Sequence, residues 1–272
     1  MRVEACCQAL LSEILPHVDP QQQGHCIDVG VGTFAFYCER FAQLGFPTIA
    51  VEPMPIDQLK QRCQKHKIRL IEACLSDRTG SQTLYSGRFA RFGNLNFNSL
   101  DADWFGSSAQ AKEVPTYTLA EFLRVTNVTS ITCLKLDIEG WEPKVLGQLP
   151  NLAIAARPKL VMFEYGGGSP RHRQKKGWSP KFLAGTMQCL EALQHCGYGF
   201  SIMVDFASDA QVRCFDLQAV SLNPDEIFAT NAVYGNIISF YGCDYDEAAI
   251  AQTAAKWQGG LFNWIGEKLF AR

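Results

Sequence analysis

The chain has 272 residues, of which 47% are hydrophobic and 19% are charged, and its formal net charge is −2. This length and composition are typical of a globular domain that buries a sizeable core. The nearly balanced charge argues against an overall attraction to nucleic acid or to anionic lipid.

The cysteines and histidines argue against a structural metal site. The eleven cysteines contain no C-x-x-C pair, and the five histidines show no metal-ligand spacing. The N-terminus lacks a secretory-signal pattern, and no apolar run is long enough to span a membrane. These features predict a cytoplasmic protein with free thiols, no metal, no nucleic-acid partner and no stable membrane association.

The first half of the chain alternates short apolar strands with helices. A leading helix over 3–15 is predicted to end at Pro16. The alternation after it predicts a parallel sheet that is covered on both faces. The elements predicted there are strands 25–30, 47–53 and 68–76, helices 33–45 and 55–66, and an edge strand or hairpin arm at 81–87.

The second half follows the same pattern less regularly. Thr118 and Glu121 form a capping-box pattern at the start of a predicted helix. The last two predicted strands suit antiparallel pairing. The elements predicted there are loop 91–108, helix 118–127, strand 131–140, helix 141–149, strand 158–168, basic loop 169–180, helix 181–197, strands 199–206 and 234–242, and an amphipathic helix 260–270.

Together these elements predict a doubly wound α/β fold with a mostly parallel sheet and an N-terminal helix. We expect a single domain without internal repeats. Its predicted parts are a leading helix within 1–24, a cofactor-binding core over 25–168, a basic lid loop over 169–180, and the C-terminal half of the sheet with its helices over 181–272.

Acidic residues stand where the predicted strands end. In an open parallel sheet, ligands bind beyond the carboxyl ends of the strands, so these side chains are candidates for one site. The acids are Asp28, Glu52, Asp137 and Glu164, with Asp77 directly after strand 68–76.

A glycine turn follows the first of these acids. Gly30 and Gly32, with Ala35 and an acid at Glu52, satisfy the spacing of a nicotinamide dinucleotide site. A pyrophosphate is negatively charged, however, and Asp28 would repel it. S-adenosylmethionine has no phosphate and carries a positive sulfur and an ammonium group, so Asp28 favours this cofactor.

Two further acids, Glu52 and Asp77, could contact either cofactor. Glu52 can accept hydrogen bonds from both ribose hydroxyls. Asp77 either contacts the adenine amino group or starts a turn before Gly80.

Several longer motifs occur in a recognisable order: VEPMPIDQL, EACLSDRTGSQTLY, VPTYTLAEFL, LKLDIEGWEPKVL and VMFEY. Together they resemble the FkbM family of S-adenosylmethionine-dependent methyltransferases, over residues 26 to about 165. The resemblance implies a Rossmann-like class I methyltransferase fold and methyl transfer to a small molecule, often a sugar or polyketide hydroxyl. The chain departs from the family pattern at Phe34, where glycine is usual, and at Gly32, where asparagine is frequent.

The strongest catalytic candidates lie on predicted strand 131–140. Lys135, Asp137 and Glu139 alternate and should share one face, with Lys135 paired to a rim carboxylate such as Asp28 or Glu164. Asp137 is the first candidate for a general base and also lies near the expected cofactor. Glu139 and His172 are the next candidates, although Glu139 could instead cap the following helix.

The basic loop and the C-terminus suggest partners. Loop 169–180 contains Arg171, His172, Arg173, Lys175 and Lys176; it is either a solvated loop or a lid that recruits an anionic acceptor, such as a nucleotide-linked sugar. Aromatic residues of the C-terminus, including Trp257 and Trp264, form part of the core or a homodimer face. Two other functions remain open: an NAD(P)-dependent oxidoreductase and a non-catalytic methyltransferase-like binding module.

Overall fold

A computed structural model describes residues 2–33, 35–89, 92–93, 97–104, 111–207 and 212–258. Phe34, much of predicted loop 91–108 and all of predicted helix 260–270 lie outside these residues. Among the described residues, no helix has both the length and the apolar character needed to cross a membrane.

The structure is a mixed α/β fold in which helices cover both faces of a large sheet. The strands are β1 (His25–Val29), β2 (Thr48–Val51), β3 (Arg69–Ile71), β4 (Cys74–Leu75), β5 (Gly80–Tyr85), β6 (Arg88–Phe89), β7 (Phe92–Gly93), β8 (Ala111–Tyr117), β9 (Ile131–Leu136), β10 (Leu160–Gly166), β11 (Tyr198–Asp205), β12 (Arg213–Asp216) and β13 (Tyr234–Tyr241). The helices are α1 (Val3–Val18), α2 (Phe36–Gln43), α3 (Asp57–Lys65), α4 (Leu119–Thr126), α5 (Glu142–Leu146), α6 (Pro180–His195), α7 (Pro224–Ile227) and α8 (Glu247–Ala255).

The large sheet has the strand order β12-β11-β13-β10-β9-β1-β2-β3. Strands β3, β2, β1, β9 and β10 pair in parallel, which brings their carboxyl ends to one edge. Strand β13 pairs antiparallel with β10 and with β11, and β12 extends the sheet from β11. The mostly parallel sheet and the antiparallel last strands confirm the prediction, and this arrangement fits a class I methyltransferase fold.

Each strand sends alternate side chains to opposite faces of this sheet. Ile27 and Leu134 face a core that includes Phe122 of α4 and Leu190 of α6. Residues of the opposite register, such as Cys133, pack instead with α1, α2 and α8. Asp28, Lys135 and Glu164 share this second register, so they lie on the face that α1 and α2 cover.

Two helix ends test the predicted boundaries. The Thr118 hydroxyl accepts a hydrogen bond from the Glu121 amide at 3.3 Å, which confirms the predicted cap of α4. Helix α1, however, continues past Pro16 to Val18. Proline removes only its own donor, and the Asp19 amide still donates to the Leu15 carbonyl at 3.0 Å, so the last turn closes.

Two predicted strands are shorter than expected. The predicted strand 68–76 breaks at Ala73, whose amide donates to the Ile71 carbonyl at 3.0 Å in a tight turn. Strand β4 beyond this turn joins β8 and β5 in a separate three-stranded sheet. Strand 131–140 ends at Leu136, and Glu139 adopts a left-handed backbone conformation with φ 57°.

Some further elements carry too weak a local signal to predict. Local patterns did not predict β6, β7, β8, β12, α7 or α8, each of which is nine residues or shorter. The cysteines are all free. Of the C-terminal aromatic residues, Trp257 packs against the core on the α1 face, and the others lie outside the described residues.

Candidate active site

A cleft of about 340 Å³ opens at the carboxyl ends of the parallel strands. The turn after β1 forms one side, and the ends of β9 and β10 form the floor. Helices α1 and α2 close the cleft from above the sheet. The carboxylates that line it are Glu4, Asp28, Asp137, Glu139 and Glu164.

Lys135 is the central cation of this cleft. Its Nζ lies 3.0 Å from Asp28 Oδ1 and 3.2 Å from Asp137 Oδ2. Burial alone lowers the pKa of Lys135, but the charges of Asp28, Asp137 and Glu4 outweigh burial and hold that pKa well above its usual value. Lys135 therefore stays charged and ties neighbouring strands together through its carboxylate partners.

Asp28 was predicted to contact the cofactor, but it lies deeper in the fold than such a contact requires. Its side chain is almost fully buried, and the register of β1 and β9 places it directly beside Lys135. Its second oxygen accepts a hydrogen bond from Cys38 Sγ at 3.2 Å. The ion pair predicted for Lys135 is thus present, and Asp28 acts on the cleft mainly by holding that cation in place.

The glycine turn after β1 packs closely against the backbone at the end of β9. Gly30 has φ 78°, and a Cβ atom there would lie 1.8 Å from the carbonyl oxygen of Asp137. Gly32 has φ 62°, and its amide donates a 2.8 Å hydrogen bond to Glu52 Oε2. Only glycine tolerates the first position, because the turn passes directly over the end of β9.

Glu52 is a buried carboxylate with a fixed orientation. One oxygen accepts from Gly32, and the other accepts from the Met54 amide at 3.0 Å. Burial raises the pKa of Glu52, and the two amide donors counteract that effect. Each oxygen keeps a second lone pair, so the carboxylate can still accept hydrogen bonds from a ligand.

A second pocket continues from the cleft past Glu52. It is lined by Pro53 after β2, by Ala73–Leu75, and by Ile138 and Trp141 after β9. Ser76 braces this wall, because its hydroxyl accepts hydrogen bonds from Gln82 at 2.7 Å and from Trp141 Nε1 at 3.0 Å. The pocket is largely apolar, and its lining includes Gly30 and Gly32 of the glycine turn.

Asp77 does not line either pocket. It lies two residues beyond β4 and is exposed, and its carboxylate accepts a 3.2 Å hydrogen bond from the Ser76 hydroxyl. The break in strand 68–76 carries this residue away from the main sheet. Of the acids predicted at the sheet edge, the structure brings together Asp28, Glu52, Asp137 and Glu164.

Asp137 and Glu164 form a carboxyl pair on the floor of the cleft. Burial, the charge of Asp137, the charge of Glu139 and a hydrogen bond to Asp137 all raise the pKa of Glu164. The hydrogen bond between the two carboxyl groups requires that they share one proton. One oxygen of each of Asp137, Glu139 and Glu164 lies within 4.8 Å of the others, a spacing that could hold a metal ion.

Glu139 does not cap the next helix. The Ile138 amide instead donates to Glu142 Oε1 at 2.8 Å, and α5 begins without a capping side chain from Glu139. Glu139 lies in the turn after β9, where its carboxylate accepts a hydrogen bond from Trp104 Nε1. Burial and the nearby Asp137 and Glu142 raise the pKa of Glu139 well above its usual value.

His172 and the rest of the basic segment 169–180 do not line the cleft. His172 is exposed, and its Nδ1 lies 2.8 Å from the Thr230 carbonyl oxygen; it does not line the cleft. Arg171 forms a 2.8 Å ion pair with Asp225 and also donates to the Phe228 carbonyl. The segment thus contacts residues 225–232, and its function as a lid stays a prediction.

Helices α1 and α2 provide a part of the cleft that was not predicted from the sequence. Tyr37 of α2 donates a 2.5 Å hydrogen bond to Glu4 of α1, and the Lys135 Nζ lies 4.9 Å from the Tyr37 ring centroid. In the sequence, Glu4 and Tyr37 fit the pattern of amphipathic helices and carry no other signal. An acid on the buried side of α1 was the available signal, since such a residue needs a polar partner inside the fold.

Glu142 provides a test of these electrostatics. It is buried, and burial raises its pKa to about 7 despite backbone hydrogen bonds that lower it. The folded state therefore binds a proton more tightly than the unfolded state, and the resulting stability is lost as pH rises from about 4.5 to 7. We expect Glu142→Gln to gain roughly 3 kcal/mol relative to the native chain over this window, given the pKa of about 7.

Urea unfolding at a series of pH values measures this difference. The exposed Glu72→Gln, at a residue whose side chain is 55% exposed, is the matched control and should follow the native chain. A Glu142→Gln curve parallel to the native curve would show that Glu142 does not titrate in the folded state.

The chain was compared with known protein families. A family model described as "Methyltransferase FkbM domain" matches residues 24–200. The chain belongs to the FkbM methyltransferase family. No curated protein sequence matches the chain. The matched range of this FkbM protein includes Lys135 and the carboxylates of the sheet edge, whereas Glu4 and Tyr234 lie outside it.

Proposed function

We propose that this FkbM methyltransferase uses S-adenosylmethionine as methyl donor and methylates a hydroxyl group of a small molecule, such as a sugar. The observation that carries the proposal is the charge of the cleft beside the glycine turn. Its lining contains five carboxylates, and Lys135, the lysine that lines it, is already paired with Asp28 and Asp137.

The residues fit a donor that has a positive centre and no phosphate. Glu52 offers two oriented oxygens to ribose hydroxyls, and the pocket between Pro53, Leu75 and Trp141 offers apolar walls to an adenine ring. The carboxylates beside Gly30 and Gly32 favour a sulfonium. Once bound, the donor supplies an electrophilic methyl group on a positively charged sulfur.

The same lining opposes the oxidoreductase alternative. A nicotinamide dinucleotide places a pyrophosphate at the glycine turn, where anions normally find amide donors. Here the Gly32 amide donates to Glu52, and Asp28 and Asp137 lie nearby. A pyrophosphate at this turn would have to approach these carboxylates, which repel it.

Asp137 is the residue we assign as general base. It lines the cleft, is partly exposed, and is held by Lys135 at 3.2 Å. The hydrogen bond that it shares with Glu164 helps to fix the orientation of its carboxyl group. A hydroxyl aligned against Asp137 can release its proton to this carboxylate as its oxygen takes up the methyl group.

The other carboxylates have supporting roles in this proposal. Glu139 is held by Trp104 and would help to hold the positively charged sulfur of the donor in this cleft. His172 lies outside the cleft, so it is a weaker candidate for proton transfer than Asp137. Alignment of the two reacting groups contributes the larger part of catalysis, up to roughly 7–11 kcal/mol of the barrier.

Calorimetry of the purified protein tests the choice of cofactor. We expect S-adenosylmethionine and S-adenosylhomocysteine to bind and NADH to give no signal, because only the first two lack phosphate. The result that contradicts the proposal is binding of NADH with no response to either methyl-donor ligand. Binding of both donor ligands without methyl transfer to any small molecule of a cell extract would favour the non-catalytic alternative.

A further inference from the structure

One wall of the cleft lies outside the part of the chain that the family match covers. Glu4 of α1 and Tyr234 of β13 line this wall, whereas Gly30 and Glu52 lie within residues 24–200. The donor groups that we assign are therefore family features. Acceptor recognition that is particular to this chain is best placed at the wall that Glu4 forms.

The Glu4 carboxylate is partly buried, oriented and held by neutral groups. Its Oε2 accepts from the Tyr37 hydroxyl at 2.5 Å, and its Oε1 accepts from Asn236 Nδ2 at 3.2 Å. Burial, followed by the charge of Asp137, raises the pKa of Glu4. Within the described parts of the chain, no cationic side chain lies at ion-pair distance from Glu4, so a cation in the cleft would be its natural partner.

The charge of the whole cleft also favours a positively charged acceptor. Lys135 forms ion pairs with Asp28 and Asp137 but with neither Glu4 nor Glu139, and Glu164 shares a proton with Asp137. S-adenosylmethionine adds one net positive charge, because its ammonium and carboxylate groups cancel. Negative charge remains in excess, and it would repel a phosphate or carboxylate on the acceptor and attract an ammonium group.

Aromatic rings complete this wall. Tyr37, Trp104 and Tyr234 line the cleft, and the Tyr37 ring already faces a cation, since the Lys135 Nζ lies 4.9 Å from its centroid. Aromatic faces beside a carboxylate are a common way to bind an ammonium group. A volume of about 340 Å³ leaves room for a small polar molecule beside the amino-acid part of the donor.

We propose that Glu4 determines specificity by binding an ammonium group of the acceptor. The substrate is then a small amino alcohol or amino sugar, and Asp137 takes the proton from the hydroxyl group that is methylated. This inference rests on the proposed methyltransferase function. It replaces the anionic acceptor expected from the basic segment 169–180, which becomes the competing outcome of the test.

Three probes of equal shape test the charge preference directly: cyclohexylammonium, cyclohexanol and cyclohexanecarboxylate. Each is titrated by calorimetry into protein saturated with S-adenosylhomocysteine, near neutral pH, where the amine and the acid are both charged. We expect the ammonium probe to bind at least about tenfold more tightly than the other two. A preference for the carboxylate, or an equal response to all three including none, overturns the proposal.

Variants on the same helix separate Glu4 from the rest of the cleft. Glu4→Gln keeps the shape and both hydrogen-bond partners, and it should lower the affinity for cyclohexylammonium by about tenfold while leaving cyclohexanol unchanged. Glu13→Gln, whose carboxylate accepts from Thr253 away from the cleft, is the matched control. An unchanged ammonium affinity in a folded Glu4→Gln protein contradicts the role of Glu4.

Binding of S-adenosylhomocysteine tests the proposed function, and the preference among the three probes tests the ammonium site. Binding of S-adenosylhomocysteine without any charge preference among the probes refutes only the ammonium site. Failure of S-adenosylhomocysteine to bind refutes the proposed function, and the probes are then titrated into the unliganded protein, where the same charge preference still decides the role of Glu4.

Discussion

Replacing Asp137 with asparagine is expected to lower kcat for methyl transfer by at least about a hundredfold, because a general base contributes about 10²–10⁴-fold to such reactions. Asparagine keeps the size and one oxygen of the side chain but cannot take the proton of a hydroxyl. The affinity for the methyl donor should change less, because Glu52 and the glycine turn remain intact. Single-turnover transfer of labelled methyl groups measures the rate, and calorimetry measures donor affinity.

Two controls sharpen this prediction. Asp57→Asn, at an exposed position in the first turn of α3, should leave the rate unchanged. Assays in chelator and with added magnesium address the carboxylate group Asp137, Glu139 and Glu164, whose spacing could hold a metal ion. Near-normal kcat in Asp137→Asn would place the base elsewhere, and loss of activity in chelator that magnesium restores would make Asp137 a metal ligand.

Replacing Glu52 with alanine is expected to weaken binding of S-adenosylmethionine by roughly ten- to a thousandfold, from hydrogen bonds that are worth about 1.5–3 kcal/mol each when one group is charged. The substitution removes the acceptor that we propose for the ribose hydroxyls and also frees the amides of Gly32 and Met54. Calorimetry with S-adenosylmethionine and S-adenosylhomocysteine measures the change.

The control for this variant lies a short distance along the chain. Glu72→Ala removes an exposed carboxylate that pairs with Lys60 at 3.0 Å, and it should bind the donor as the native chain does. Circular dichroism and thermal unfolding establish that Glu52→Ala remains folded. Unchanged donor affinity in that folded protein would remove Glu52 from the donor site.

The two residues act through different features of the same edge. Asp137 depends on Lys135, which depends in turn on Asp28 in the neighbouring strand. Glu52 depends on the glycine turn, whose path is set by close contact between Gly30 and the Asp137 carbonyl. Changes at Asp137 should therefore affect chemistry first, and changes at Glu52 should affect binding first.

Local patterns were sufficient for the sheet and for most of its acidic edge. Apolar strands of four to eight residues that alternate with helices are typical of parallel sheets, and parallel strands bring their carboxyl ends together. Asp28, Glu52, Asp137 and Glu164 therefore meet, and the alternation along β9 predicted the pairing of Lys135. The cap of α4 followed from Thr118 and Glu121 alone.

The sequence by itself thus determined the fold class and the identity of the acids at the sheet edge, because these depend on periodicity and on strand order. The family was indicated separately, by the resemblance of its motifs. Only the tertiary structure decided that Asp77 leaves the site, that Glu139 lies in a turn, and that Glu4 enters the cleft. The first two depend on where a backbone hydrogen bond or a positive φ ends a strand. The last depends on packing between α1 and α2, which joins residues 33 positions apart and leaves no trace in a local pattern.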